Sequence, residues 1–532
     1  MACQKRKSIK VLTVHRVGEF LVGVFRTYKA AEQEISEHIL VIENIWITTS
    51  IQITVIQRVA RFMNHDYCRA MDETLAQLHT KLSAVVTEVQ KIAVPDENPR
   101  PGIWVFGQAV DKWRYVRVKS TLSTISKEME EWQTRFNILW MLLPRMDNPI
   151  IDEQLRCVKE QSREANATYG PGSHSSWRSE PLSSAQGVRA ALRAPRDQQT
   201  KVFMPTIDME SQPLLYSSAR VARQGPGSDW YVIDSVRCPP GTDPDAFDLD
   251  VRQLAHRFKH ADPSAFGLLT CRGAMRIVDP YTQRLASCEL VFYKPRNMEV
   301  LQSLRQCLLN SSGAASLNRR LSVARELVKS ISFVHTFDFV HKNVRPESVL
   351  LFEEANARRR CATFLVGFEG FRRADGATAM LGDTLWHKDT YRHPSRQGVF
   401  PNEYYKMQHD IYSLGVCLLE IGLWESFVDY DDKLVPQPGR HIAAMRGWLV
   451  ANGRGQQMRI SDFKDYVTSL ATDQLPNVMG QRYTDVVMTC LTCLDVDNHG
   501  IGNEADVDDT DGIIVAVRFV EKILIKIDEI AI

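Results

Sequence analysis

The chain has 532 residues, of which 44% are hydrophobic and 24% charged, and its formal net charge is +1. That length exceeds what one hydrophobic core organises, so two or three domains are expected, with the ordinary composition of a soluble globular protein. The near-neutral balance excludes a global pull toward nucleic acid or anionic membrane, and eleven scattered cysteines without a signal peptide predict reduced thiols in the cytoplasm. No run of 18 uncharged apolar residues exists to span a bilayer; the nearest, Val11 to Phe25, is interrupted by His15, Arg16 and Glu19.

After a basic start at Lys5, Arg6 and Lys7, apolar residues recur at helical spacing to about residue 140. Val14, Val17, Leu21, Val24 and Tyr28 fall on one face of a first helix. Ile35, Ile39, Ile42, Trp46, Ile53, Ile56 and Met63 carry the rhythm through a long second one. Leu75, Leu78, Leu82, Val85 and Val89 mark a third, and Leu122, Ile125, Met129, Trp132, Phe136 and Leu139 a fourth. Helices with single apolar faces bury them best against one another, which predicts a bundle with a plain packed core and no cofactor. Between the third and fourth, Val94-Pro95-Asp96-Glu97-Asn98-Pro99-Arg100-Pro101-Gly102 cannot continue a helix and reads as a loop. A brace helix is expected near Ile151 to Lys159. From Tyr169-Gly170-Pro171-Gly172 to about Thr200, Gly, Pro and Ser leave too little apolar surface to order the chain, and residues 161–200 read as a flexible linker.

Beyond the linker, Trp230-Tyr231-Val232-Ile233-Asp234-Ser235, Phe266 to Cys271 and Cys288 to Tyr293 read as strands, with a helix over Asp248 to Phe258. Gly225-Pro226-Gly227 reads as a tight turn before the first of them. Leu321, Ala324, Val328, Ile331 and His335 mark a helix that leads into the polar stretch at residue 341. Cys490 and Cys493 form a C-x-x-C within the helical run Val486 to Leu494; with no second pair or histidine cluster, core packing is expected. In the acidic run from Asp495 to Gly512, Asp495, Asp497 and Gly500 meet part of a calcium-loop spacing. His499 takes a ligand position and Asp506 replaces the bidentate Glu, so a solvated loop is expected there and no metal. A last helix is expected over Ile513 to Ile530.

Four motifs recur in order in the second half. His341-Lys342-Asn343-Val344-Arg345-Pro346-Glu347-Ser348, followed by the apolar Val349-Leu350-Leu351, resembles the catalytic loop H-R-D-L-K-P-E-N of protein kinases. Gly367-Phe368-Glu369 stands in the place of D-F-G, and Tyr391-Arg392-His393-Pro394-Ser395 resembles the Y-x-A-P-E that ends an activation segment. Asp410-Ile411-Tyr412-Ser413-Leu414-Gly415, continuing to Glu420-Ile421, is similar to the buried helix D-x-[WY]-S-x-G-x-x-L-x-E of the large kinase lobe. Pro346, Pro394, Asp410 and Gly415 are the structural landmarks of the resemblance, which covers about residues 200 to 530. It implies a multidomain chain: an all-α N-terminal helical bundle with its brace over 1–160, the linker 161–200, and an α+β bilobal protein kinase-like fold with a small lobe at 201–295 and a large lobe at 296–532.

The same resemblance implies altered chemistry. Phosphoryl transfer needs a general-base Asp, two magnesium-holding side chains and a Lys-Glu pair. Asn343 stands for the base, Ser348 for the Asn that holds the second magnesium, and Gly367 for the metal-binding Asp. Asp234 falls where V-A-I-K carries its Lys, the helix Asp248 to Phe258 offers no Glu, and no G-x-G-x-x-G precedes. Loss of the base alone costs roughly 10²- to 10⁴-fold in rate. His341, Asn343, Arg345 and Ser348 therefore mark degenerate catalytic positions, and Gly367, Phe368 and Glu369 degenerate cofactor positions, with no metal site. The layout resembles that of fungal proteins joining a HeLo-like bundle to a degenerate kinase domain. It is similar in plan to mixed-lineage kinase domain-like proteins, where a four-helix bundle disrupts membranes and a pseudokinase restrains it. The resemblance implies a cytoplasmic signalling pseudokinase in cell-death or incompatibility control, recruited by protein partners, by self-association of the bundle or by membrane lipid, with no nucleic acid and no cofactor. The alternative is an atypical, weakly active serine/threonine kinase that binds ATP and magnesium, with Glu369 reaching the metal and the bundle as a docking module.

Overall fold

The computed structural model describes residues 33–93, 103–105, 108–110, 112–157, 180–193, 201–238, 242–295, 298–310, 315–354, 361–373, 385–454, 460–495, 501 and 513–531. The helix expected over Val14 to Tyr28, the loop at 94–102 and most of the acidic run after Asp495 lie outside them. The chain divides into two units, Met1–Arg189 and Ala190–Ile532. Among the described residues no helix is long and apolar enough to cross a membrane.

In the first unit the helical spacing is realised as α1 (Gln33–Val59), α2 (His65–Ala93) and α3 (Lys112–Trp140). Ile42, Trp46, Ile53 and Ile56 of α1, Leu75, Leu78 and Leu82 of α2, and Leu122, Met129, Trp132, Phe136 and Leu139 of α3 are all buried. Such side chains are worth about 1.5–3 kcal/mol each when fully withdrawn from water. Buried polar groups tie the helices in register. Trp132 Nε1 donates to Thr74 O at 2.8 Å, Tyr67 Oη to Leu139 O at 2.7 Å, and Gln52 Nε2 to Asn137 Oδ1 at 3.0 Å.

Two features depart from the expected all-α bundle and linker. A hairpin of β1 (Ile103–Val105) and β2 (Gln108–Val110) pairs Ile103 with Val110 ahead of α3. Its β-branched Ile103, Val105 and Val110 favour the extended backbone. The second departure is a correction: residues 180–193, read as part of a flexible linker, form α5 (Glu180–Arg193). Ala185 and Val188 are buried at helical spacing, and buried Arg189 reaches back to the turn after α3 and to α4 (149–157), the brace helix expected at 151–159. Ser, Pro and Gly continue to Gly187, but Pro181 suits the first turn of a helix and Arg189-Ala190-Ala191-Leu192-Arg193 are strong helix formers.

The second unit opens with a five-stranded antiparallel sheet in the order β3-β4-β5-β7-β6, made of β3 (Glu210–Pro213), β4 (Arg220–Arg223), β5 (Trp230–Arg237), β6 (Cys271–Val278) and β7 (Leu285–Tyr293). Residues 202–204 cover the outer edge of β6, with Met204 N on Ala274 O at 2.9 Å and Ala274 N on Val202 O at 3.1 Å. α6 (Pro244–Phe258), capped by the Asp243 side chain, packs on β6. Gly225-Pro226-Gly227 is the turn between β4 and β5, with Gly227 at φ +84°. The strand expected over Phe266 to Cys271 is corrected: Pro263–Phe266 is a helical turn, Gly267 leaves it at φ +63°, and the strand begins only at Cys271. Pro263 suits the first position of a helical turn, and a glycine in the left-handed region ends one.

The rest of the unit is mainly helical. A small sheet, β11-β10-β8, joins β8 (Met298–Ser303), β10 (Val349–Glu354) and β11 (Cys361–Leu365), while β9 (Phe339–Val340) pairs with residues 372–373. Around them lie α7 (Leu304–Leu309), α8 (Leu317–Thr336), α9 (Met407–Leu423), α10 (Arg440–Ala451), α11 (Ile460–Met479) and α12 (Gln481–Leu491). The last helix runs over 513–528 with a π turn at Val520–Leu524. α9 is buried along almost its whole length. It meets α12 so closely at Gly415 that a Cβ there would stand 2.8 Å from Cys490 Cβ. Cys490 and Cys493 are both buried, with Cys493 Sγ 3.3 Å from Gln408 O, so the C-x-x-C packs in the core as expected.

Candidate functional site

The turn at 341–348 is held from behind by one buried carboxylate. Asp410, in the first turn of α9, accepts from His341 N at 2.7 Å, Lys342 N at 2.9 Å and Tyr405 Oη at 2.6 Å, and lies 3.2 Å from His335 Nε2. Burial alone would raise its pKa, but His335, His341 and Tyr405 together hold it below the usual value. The grip also keeps Lys342 at φ +64°, a left-handed conformation rare outside glycine. His341 is buried with its pKa lowered to about 4, so its ring is neutral; Nδ1 accepts from Asn343 N at 3.3 Å, leaving Nε2–H to donate to Val366 O at 3.0 Å.

Pro346 begins a single 3-10 turn, closed by Ser348 Oγ, which donates to Arg345 O at 2.8 Å and accepts from Arg345 N at 3.2 Å. Asn343 is used at both ends of its amide: Nδ2 donates to Gly367 O at 2.9 Å and Oδ1 accepts from Arg345 Nε at 2.7 Å. Gly367 sits at φ +80°, and a Cβ there would lie 2.7 Å from Ser348 Cβ and 3.1 Å from Asn343 Nδ2. No other residue fits that turn unchanged. Phe368 fills the space behind it, 4.7 Å from the His341 ring and 4.9 Å from Phe258 of α6. Glu369 is engaged by two cations, Arg345 at 3.4 Å and Lys388 at 3.2 Å.

Asp234 brings the sheet to this turn. It lies on the buried face of β5 with Val232 and Val236, and its Oδ2 accepts from Gly367 N at 2.9 Å and Phe368 N at 2.7 Å. Burial pushes the carboxyl up to about 7; the Phe368 and Gly367 amides oppose the rise and the Glu369 charge adds to it. Its Oδ1 is buried without a hydrogen-bond partner.

A second polar cluster underpins the loop, and nothing in the sequence singled out its centre. Arg305 of α7 is fully buried, with Glu347 at 3.2 Å and Glu420 at 3.0 Å, and it also meets Ser426 and Tyr391 Oη. Tyr391 Oη donates to Glu420 Oε2 at 2.9 Å and Tyr430 Oη to Glu347 Oε1 at 2.9 Å. Burial pushes the Glu347 carboxyl up, but the Arg305 and Arg345 guanidiniums outweigh it and bring it to about 2. An Arg within Leu304-Arg305-Gln306-Cys307 reads as a surface residue; the buried carboxylates Glu347 and Glu420 that the fold brings to it give it its role. Pro394 starts a short 3-10 turn, and Ser395 behind it contacts His393 at 2.9 Å and His409 at 3.1 Å.

The sequence-derived residues His341, Asn343, Arg345, Ser348, Gly367, Phe368 and Glu369 thus converge on one place, and Asp234 joins them from 133 residues away. The arrangement is one of mutual ties. An amide nitrogen at Asn343 that is donating cannot take up a proton, Ser348 Oγ is occupied by its own turn, and Glu369 is neutralised. Among the described residues no three His, Cys, Asp or Glu side chains are grouped to hold a metal ion. No protein-family model matches the chain, and no curated protein matches it.

Proposed function

We propose that the second unit is a catalytically silent, kinase-like domain that works by binding partners, and that the N-terminal helical unit is the interaction or effector module it serves. The observation that carries this reading is Asp234. In a kinase arrangement the centre of the third strand presents a lysine to phosphate; here the same register position presents a carboxylate, and it is hydrogen-bonded to the backbone of the turn that would carry the metal-binding Asp. A phosphate chain brought there finds a buried carboxyl in place of a lysine's positive charge, and the Gly367 and Phe368 amides are already taken by it. The residues present do not fit magnesium-ATP.

The same features weigh against weak catalysis. Asn343 offers no base, Gly367 has no side chain and cannot gain one in that turn, and Glu369 is spent on Arg345 and Lys388. Protein partners, self-association through the helical unit and a role in cell-death or incompatibility signalling follow from the resemblance in layout and belong to this proposal, as does a cytoplasmic site of action with recruitment to membrane lipid. The test is a thermal-shift titration of the full chain with magnesium-ATP. Binding to the native state raises the melting temperature by mass action. No shift up to millimolar nucleotide is expected; a saturable rise, or phosphate transfer lost in Asn343→Ala, would overturn the reading.

A further inference from the structure

The loop that joins β3 to β4, residues 214–219, reaches from the sheet to the helical part of the same unit. It enters β4 at Arg220, which pairs with Ile233 of β5, so it springs from the sheet one register step from Asp234. Its tip makes two distant attachments. Leu215 O accepts from Ser303 Oγ at 2.8 Å, and Ser303 is buried and caps α7 through Gln306 N at 3.2 Å. The Tyr216 ring lies on the Tyr430 ring with centroids 4.6 Å apart, and the Tyr430 hydroxyl is the one bonded to Glu347.

The loop has no glycine, yet Tyr216 holds φ +54°. A bulky residue stays in the left-handed region only where its surroundings over-determine it. Internal bonds keep the loop in shape: Ser217 N donates to Leu214 O at 3.1 Å, and Ala219 N to Ser217 Oγ at 3.2 Å. Ala219, at its base, is buried.

We propose that residues 214–219 are a strap closing the entrance between the sheet and the helical part, with Tyr216 on Tyr430 as its clasp. Asp234 fastens one side of that entrance to Gly367 and Phe368, and the clasp fastens the other to the 341–348 loop through Tyr430 and Glu347. A partner that binds the undone form shifts the population toward it by its differential affinity.

The test is peptide-resolved hydrogen exchange on the full chain without added ligand. Wild-type protein should protect the amides of 214–219. Tyr216→Asn tolerates the left-handed backbone but lacks the ring, and should raise exchange at 214–219 and 298–303 by roughly tenfold or more. Tyr430→Leu should do the same, while Tyr281→Asn in an exposed turn should not. A thiol placed at the strap's base by Ala219→Cys should react slowly with a maleimide and about tenfold faster once Tyr216→Asn is added. Absent protection in the wild type, unchanged exchange in both tyrosine variants, or equal labelling rates would overturn the strap. Neither measurement contains nucleotide, so magnesium-ATP binding would overturn the function proposed above and leave the strap standing.

Discussion

A carboxylate on the buried face of a strand is an expensive choice, and Asp234 has donors for one of its oxygens only. Its folded-state pKa of about 7 stands above the ordinary 3.8, so between these values the native state holds a proton that the unfolded chain has released. The linkage sign follows. The group favours folding most at low pH, loses that contribution as pH rises through the window, and carries its full penalty above about 7. Asp234→Asn keeps an oxygen for the Gly367 and Phe368 amides and removes the titration. The variant and the wild type should melt at similar temperatures near pH 4, at the foot of that window. The variant should then gain on the wild type up to pH 8, by several degrees, in thermal melts of the full chain. A gap of the same size at every pH would mean that another group carries the titration.

At the scale of elements, α7, the 341–348 turn, α9 and the start of β12 (Val428–Tyr430) meet on Arg305. Breaking such a buried pair by removing one partner costs about 3–5 kcal/mol, because the orphaned charges stay behind, whereas removing all the charges is far milder. Arg305→Met should therefore lower the urea midpoint sharply, and the triple change with Glu347→Gln and Glu420→Gln should recover most of the loss. If the triple variant were as unstable as the single one, Arg305 would matter through packing and not charge. Much of this region was legible in sequence. The 341–348 turn and α9 carry their determinants within a few residues, and the resemblance of those residues to kinase motifs marked Asp410, which accepts from the His341 and Lys342 amides. β3, β4 and the strap were not legible. They are short and polar, and what fixes them, Ser303 and Tyr430, lies 88 residues and more away. The strand misplaced to Phe266 failed for a local reason, since Pro263 and Gly267 frame a helical turn inside an apolar run that reads equally well as a strand.

For the whole molecule the revision that matters most is where the first unit ends. A bundle closing at residue 160 leaves out α5, yet α5 supplies a guanidinium with every donor occupied. Arg189 Nε and NH2 each meet Asp152 at 2.7 Å, NH2 also donates to Asn148 O at 2.9 Å, and NH1 donates to Pro144 O at 2.8 Å and to Met146 O. The accepting carbonyls belong to the turn that follows α3, where Met146 O and Asn148 O also accept from Asn148 N and Ile151 N. Arg189 thus plays the part of a cap made from a distant helix, and Gln186, also on α5, reaches Leu155 O of α4. A fragment of residues 1–193 should fold on its own, helical by circular dichroism, and melt clearly above a fragment of residues 1–160. Arg189→Ala in the longer fragment should remove about 1–3 kcal/mol by taking a buried donor from the Pro144 and Met146 carbonyls and the guanidinium from Asp152. That loss should bring its melting temperature down toward that of the shorter fragment. If the longer fragment were unfolded, the division into units would be wrong; if the two melted together and Arg189→Ala changed nothing, residues 180–193 would be the plain linker that their neighbours' composition suggests.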